Sequence, residues 1–323
     1  MGMRSCLLLL SAFAAFVALR CSWDAPRDNP LDPMIGGNVS GRVLTRRASP
    51  IVGARVSIPC AGRLIETDSA GVFDLRGLPE ESAWVFITAD LYAADSARVA
   101  LAKGEIRTIN AYLNGLPFLQ NCRVATHVYG RGWPPDPLQF STLSATAGDA
   151  DGTADIDSVW VEIPDMGYSQ GLSYDPEERA FVKTLWTKDL PGQSLNALAG
   201  QAIRFNVADI ESTVATVTVI GITRIITDLP QPSFPIGGVD TLADDTTFLW
   251  RRFDRGYAVR YRAEVVRVLS GSPAGVAAEF ETADTTWRFA ASLLDSGEYY
   301  WTVEAIDEFG NSSRSAEELF YAR

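Results

Sequence analysis

The chain has 323 residues, 47% of them hydrophobic and 10% aromatic, and its 40 acidic against 28 basic side chains give a formal net charge of −12. Apolar content at this level excludes a disordered chain, and the negative charge makes nucleic acid a poor partner, because phosphate contacts need a basic face. His127 is the single histidine, which counts against most zinc hydrolases, His-ligated haem and Ser-His-Asp catalysis. At roughly 100–200 residues per domain, the length predicts two or three domains.

Residues 1–20 read as a secretory signal. Arg4 precedes an apolar run from Cys6 to Leu19, too short to cross a bilayer, for which a helix needs about 20 apolar residues. Cys21 follows, then a polar stretch holding Pro26, Pro30 and Pro33. The arrangement resembles a bacterial lipoprotein signal, with Ala18 and Arg20 where that family prefers Leu and a small residue. The resemblance implies cleavage before Cys21, lipidation of Cys21 and a membrane partner through an N-terminal lipid anchor. It implies residence in the bacterial cell envelope, as an outer-membrane or cell-surface lipoprotein. An uncleaved anchor helix is the other reading of the same run. Residues 21–36 form an extended tether, since closely spaced prolines rule out a packed helix or a central strand. With Cys6 removed and Cys21 acylated, Cys60 and Cys122 remain. An oxidising compartment permits a disulfide between them; two unrelated thiols are the alternative.

Beyond the tether, short alternating runs separated by Gly, Pro, Asp and Asn predict an all-β chain of tandem β-sandwich domains. In the first, residues 37–116, Ala54, Val56 and Ile58 alternate with Arg55 and Ser57, the period of a half-buried strand. Thr67 to Leu75 reads as a hairpin, with Asp68 accepting backbone N–H groups and Gly71 taking φ > 0. Ser40-Gly41-Arg42-Val43, Pro50 to Val56, and Thr67-Asp68 through Gly71, Phe73 and Leu75 to Leu78-Pro79 resemble the carboxypeptidase regulatory-like domain, a transthyretin-like sandwich classed with carbohydrate-binding-like folds. Leu91-Tyr92 stands where that family usually has Gly-Tyr. The resemblance covers about a quarter of the chain and implies an accessory module. Peptidases that carry it cleave in a separate zinc domain, whose two histidines are lacking here.

Residues 117–230 predict an Ig-like sandwich, in which Val159 and Val161 alternate with Trp160 and Glu162. Pro230 to Pro235 marks a boundary. Residues 235–323 resemble a fibronectin type III module: Phe248-Leu249-Trp250 fits its early core strand. Tyr299, Trp301, Val303 and Ala305 share one strand face, with Tyr299 placed for a tyrosine corner. Val259 to Val265 alternates apolar residues with Arg260, Arg262 and Glu264, and Asp307 to Ser312 makes a hairpin loop.

Chemistry has few places to reside. Asp149, Asp151, Asp155 and Asp157 put four carboxylates around Gly152 in nine residues. Calcium takes six to eight oxygens from such acidic turns; a solvated Asp-Gly turn is the plain alternative, with no cofactor at all. Trp133 and Trp160, with Trp186, are candidates for a glycan-stacking platform, and core packing is the competing reading. His127 reads as an ordinary strand residue. Glu177-Glu178 and Glu317-Glu318 are adjacent, so on a strand they face opposite ways. The arginines Arg251, Arg252, Arg255, Arg260 and Arg262 read as a solvated strand face that resists edge pairing, or as a recogniser of acidic polymer. Gly36-Gly37 and Gly237-Gly238 lack a phosphate-loop pattern.

The sequence thus predicts a non-catalytic, lipid-anchored scaffold or adhesion-type binding module with a glycan or protein ligand. A carbohydrate-binding envelope protein is the alternative within binding. An acid–base hydrolase with an unrecognised carboxylate pair is the alternative from another class.

Overall fold

The structure, a computed structural model, describes residues 36–79, 82–102, 104–132, 134–222, 224–238, 241–242 and 245–323. Cys21, the predicted signal, nearly all of the predicted tether and Trp133 lie outside the described residues. Two compact units meet between Leu116 and Pro117, and each is treated by itself. No helix among the described residues is long and apolar enough to cross a membrane.

The first unit is built from β1 (Gly37–Thr45), β2 (Arg55–Ile58), β3 (Arg63–Glu66), β4 (Val72–Leu78), β5 (Ser82–Thr88), β6 (Asp95–Ala100) and β7 (Ile106–Leu113). They form two sheets, ordered β4-β1-β7 and β3-β2-β5-β6. Alternation decides which residues enter the space between them: Val56 and Ile58 from β2 and Val85 and Ile87 from β5 are fully buried against Phe73 and Leu78 from β4. Burying such side chains supplies about 1.5–3 kcal/mol each.

The turn at Asp68 forms as the sequence predicts. Its Oδ1 accepts the N–H groups of Ala70 and Val72, each at 2.8 Å, and Gly71 has φ +72°. The hairpin does not form. β3 pairs with β2 while β4 pairs with β1, so the turn carries the chain from one sheet to the other. Thr67 fixes the crossing: its buried hydroxyl donates to the Ile51 carbonyl at 2.6 Å and accepts the Ala54 N–H at 2.9 Å. A short polar side chain thereby satisfies backbone groups that a paired hairpin would have satisfied itself.

The second unit opens with β8 (Pro117–Tyr129), β9 (Leu138–Asp149), β10 (Ile156–Ile163), β11 (Tyr168–Gly171), β12 (Ser173–Asp175), β13 (Ala180–Trp186), β14 (Ala202–Asp209) and β15 (Val214–Ile220). It continues with β16 (Pro232–Phe234), β17 (Thr241–Leu242), β18 (Asp245–Trp250), β19 (Val259–Leu269), β20 (Ser272–Thr282), β21 (Thr286–Ala290), β22 (Gly297–Asp307), β23 (Ser312–Arg314) and β24 (Glu318–Ala322). Two cores result. One, around Leu143, Val161, Ile163, Leu185 and Phe205, lies between the four-stranded sheet β11-β10-β14-β15 and the strands β12-β13-β9-β8. The other lies under the three-stranded sheet β16-β18-β21 and gathers Phe248, Trp250, Tyr261, Trp301 and Phe320. Trp301 donates its indole N–H to the Pro235 carbonyl at 2.8 Å, and Phe248 packs edge-on to it at 4.8 Å. Tyr299 makes the predicted corner, its hydroxyl donating to the Asp295 carbonyl at 2.9 Å.

The two cores share a sheet. Its order β12-β13-β9-β8-β23-β22-β19-β20 runs through both modules. The joint is a short parallel pairing of Ser312, Ser313 and Arg314 with His127, Val128 and Tyr129. Pro230 to Pro235, expected as a boundary, instead supplies β16, which pairs with β18. A chain of buried polar groups supports the joint. Arg224 donates to Asp307 at 3.0 Å; Asp307 accepts the Asn311 side-chain N–H at 3.1 Å; and the Asn311 side-chain oxygen accepts the Thr126 backbone N–H and hydroxyl, each at 3.0 Å. At Gly130 an added Cβ would lie 2.6 Å from the Ala316 nitrogen, so only glycine lets the two backbones come this close.

Leu91 adopts φ +67°, in the left-handed region, with its side chain 60% exposed. This is the position where the regulatory-like family usually has glycine. An L-residue there costs about 1–2 kcal/mol, of which glycine's larger unfolded-state entropy takes back a part. Leu91→Gly is therefore expected to stabilise the first unit by up to about 1 kcal/mol, read as a higher midpoint of its thermal unfolding transition; a lower midpoint would contradict the strain assigned to Leu91.

Candidate functional site

Three of the four predicted acids converge. Asp149 ends β9, Asp151 lies in the following turn, and Asp155 closes the 3-10 turn Thr153–Asp155 before β10. One carboxylate oxygen from each lies within 4.8 Å of the others. The turn is shaped by Asp149, whose Oδ1 accepts the Asp151 N–H at 2.7 Å and whose carbonyl accepts the Gly152 N–H at 3.0 Å. Gly152 has φ +105°, a conformation open to glycine. Asp149 Oδ2 is buried with no hydrogen-bond partner, and the residue as a whole is only 9% exposed. Burial raises the Asp149 carboxyl above its ordinary pKa, and the charges of Asp155, Asp151 and Asp209 push the same way, against the Asp151 N–H.

Asp157 does not belong to the group. It falls where the register of β10 against β14 shifts, between Ile156 and Ser158, and its side chain is exposed. Asp209 stands near the group as a further negative charge on Asp149, without joining it. It ends β14, is 2% exposed, and stands opposite Ile156. Its Oδ1 accepts the Thr213 N–H at 2.7 Å, which shapes the turn into β15, and the Ile210 N–H reaches back to the Asp155 carbonyl at 3.0 Å. Two turns far apart in sequence are thus held together at one end of the sandwich. Asp209 carried no local signal beyond an Asp before a Glu-Ser-Thr turn, because its partner turn lies on another stretch of chain.

Of the predicted aromatic platform, the described members Trp160 and Trp186 do not come together. Trp160 alternates with buried Val159 and Val161 on β10 and donates its indole N–H to Glu162 at 3.0 Å. Trp186 lies on β13, in the other sheet, at the end of a cross-strand row: Trp186 pairs with Phe140, Phe140 with His127, and His127 with Ser312. The rings of Trp186 and Phe140 are 5.1 Å apart, and His127 stacks on Phe140 at 4.8 Å. Two tryptophans on separate sheets cannot grip one ligand. The exposed pair lies instead in the first unit, where Trp84 and Phe86 point outward from β5, 51% and 42% exposed, with ring centroids 6.4 Å apart.

Cys60 and Cys122 are both free thiols, the second of the two readings the sequence leaves open. Cys60 is exposed on a 3-10 turn of the first unit, whereas Cys122 lies on β8 of the second, where burial raises its thiol pKa. Of the paired acids, Glu317 accepts the Gly132 N–H and Glu318 the Gly237 N–H, so each steadies a loop. Glu177 follows Asp175, whose carboxylate accepts its N–H. Four of the five arginines are matched by nearby groups: Arg262 meets Glu279 and Glu281 at 3.2 and 3.1 Å, Arg260 meets Glu281, Arg255 meets Asp228, and Arg251 donates to Gln231. Such exposed pairs contribute at most about 1 kcal/mol.

Residues 38–114 match the family model of the carboxypeptidase regulatory-like domain. That match covers the first unit's strands. No curated protein matches the chain in sequence. Among solved structures, BcpA, the major pilin subunit of Bacillus cereus, aligns over 86% of this chain and 91% of its own at 11% identity and a TM-score of 0.27. Chicken CNTN1 FN1-FN3 domains align over 85% and 92% at 9% identity, with a TM-score of 0.32. The fibronectin(III)-like modules of Clostridium thermocellum CbhA align over 64% and 93% at 9% identity, with a TM-score of 0.29. At these scores the likenesses carry no weight for function.

His127 gives the second unit a pH dependence. Its Nδ1 lies 2.8 Å from the Ser312 hydroxyl, and burial lowers its pKa, with Glu304 pulling weakly the other way. The folded chain therefore binds the proton less readily than the unfolded chain, whose imidazole titrates near about 6.5. The stability due to the neutral ring is complete above that value and is lost as pH falls below it. Between about pH 7.5 and 5.5, the second unit is expected to lose stability on acidification, and His127→Gln is expected to flatten that loss. Denaturant midpoints measured across the range decide the matter.

Proposed function

We propose that the chain is a non-catalytic, lipid-anchored modular protein of the bacterial cell envelope, acting as a scaffold and adhesion-type binding module. The single observation behind this reading is the shared sheet of residues 117–323: two sandwiches joined edge to edge through β8 and β23 form one compact unit, as suits a spacer that must hold a binding surface away from a membrane. The match of residues 38–114 to a regulatory-like domain adds an accessory module of the kind that carries no cleavage machinery of its own. The anchor rests on the sequence, where Cys21 closes a short apolar run and opens a Pro-rich stretch. Two or more acyl chains hold a protein at a membrane where one does not. Replacing Cys21 with Ser is expected to move the protein from the membrane fraction to the soluble fraction and to abolish acyl labelling. Unchanged fractionation would remove the anchor from this reading.

Glycan capture by the first unit is a second reading, favoured by Trp84 and Phe86. These neighbouring rings are exposed on one sheet face, with Arg98 directly opposite Trp84 on β6 and its guanidinium donating to Ser82 at 3.0 Å. Aromatic faces stack on sugar rings by apolar contact, and flanking polar groups orient the hydroxyls. Trp84→Ala is expected to reduce retention on insoluble polysaccharides at least several-fold while leaving the unfolding midpoint nearly unchanged. Equal retention of the two proteins would set the reading aside.

A further inference from the structure

We infer that the Asp149-Asp151-Asp155 turn is a calcium-binding site that clamps the two sheets of the 117–230 sandwich together at one end. The cluster alone would not carry this, because acidic turns are common in solvent. What carries it is Asp149. Its side chain is nine-tenths buried, its Oδ2 meets no hydrogen-bond donor, and it belongs to a group whose carboxylate oxygens lie within 4.8 Å of one another. A buried anionic oxygen that makes no hydrogen bond and faces other anions calls for a cation.

The chemistry selects the ion. Every donor is a hard carboxylate oxygen, and the chain's one histidine lies elsewhere on β8, while its described cysteines lie on β8 and in the first unit. An all-oxygen set suits calcium or magnesium rather than zinc or copper. The three aspartates of the turn offer up to six carboxylate oxygens without imposing a regular octahedron, which favours calcium over the smaller magnesium. The spacing Asp149-x-Asp151-Gly152-x-x-Asp155 is not that of an EF-hand.

The site has a mechanical meaning. Asp149 ends a strand of the long shared sheet, opposite Pro117 at the start of the unit, while Asp155 leads directly into β10 of the four-stranded sheet. An ion bound to all of them ties one sheet to the other. The inference concerns this sandwich and stands whether or not Cys21 carries lipid.

The test uses the full-length protein stripped of metal with EDTA and followed by differential scanning calorimetry. About 10 mM calcium is 10 to 100 times the dissociation constants of ~10⁻⁴–10⁻³ M typical of extracellular calcium modules. It is expected to raise the midpoint of the second unit's transition by roughly 3–10 °C and to leave that of the first unit in place. Asp151→Asn, at a half-exposed position, is expected to lose most of the shift, and Asp157→Asn to keep it. Asp155→Asn provides a second variant should the first fold poorly. No shift with calcium, an equal shift with magnesium, or a full shift in both turn variants would each overturn the assignment.

Discussion

Three residues of parallel pairing, Ser312 to Arg314 against His127 to Tyr129, set the form of residues 117–323. Without them the chain would carry two sandwiches on a connector; with them it carries one long sheet with a core at each end. So short a pairing is weak by itself, and parallel pairs are slightly less stable per residue than antiparallel ones. Its support comes from side chains. Asp307 is buried and fully engaged, accepting the backbone N–H groups of Phe309 and Asn311 as well as the side chains of Asn311 and Arg224. That fixes Asn311 so that its oxygen faces Thr126, at the edge of the neighbouring module. Arg224 is held over the Tyr257 ring at 3.9 Å, and Arg314 over the Tyr129 ring at 4.1 Å. Buried polar networks of this sort cost desolvation and return geometry: a fully satisfied set has one arrangement, so the modules have one register.

The same sheet governs the surfaces. On its outer side the rings of Trp186, Phe140 and His127 lie in one row on three neighbouring strands, and beyond the joint the row runs through Ser312 and Ile306 to Arg260, which pairs with Glu281. A stacked row of rings fills its own contacts, so the tryptophan there is less available than its residue type suggests. The first unit is different. Trp84 and Phe86 alternate with buried Ala83, Val85 and Ile87 and face outward, where no core needs them. Large aromatic surface left in water is costly, and this exposed pair is the basis of the glycan reading proposed above.

Much of the local structure was legible because its causes are local. Period-two alternation placed Val56 and Ile58 inside, the Asp68 side chain shaped its own turn, and the spacing of Tyr299, Trp301 and Val303 put them on the core face with the hydroxyl of Tyr299 near the carbonyl of Asp295. Even the one departure from the family's pattern, Leu91, fell where the backbone takes a left-handed turn. Each of these depends on a few consecutive residues and the pleat of a strand.

What depended on distant partners was not legible. Asp157 is as acidic as its neighbours, and only the shifted register of β10 against β14 turns it to solvent. The Asp68 turn reads the same whether it closes a hairpin or changes sheets, and the buried hydroxyl of Thr67 decided between them. Composition and pattern alone determined an all-β chain and its strand faces, because side-chain alternation and turn chemistry act within a few residues. Tertiary structure decided which carboxylates meet, which tryptophans stay exposed and that two modules share a sheet, because hydrogen-bond partners across strands are chosen by the whole fold.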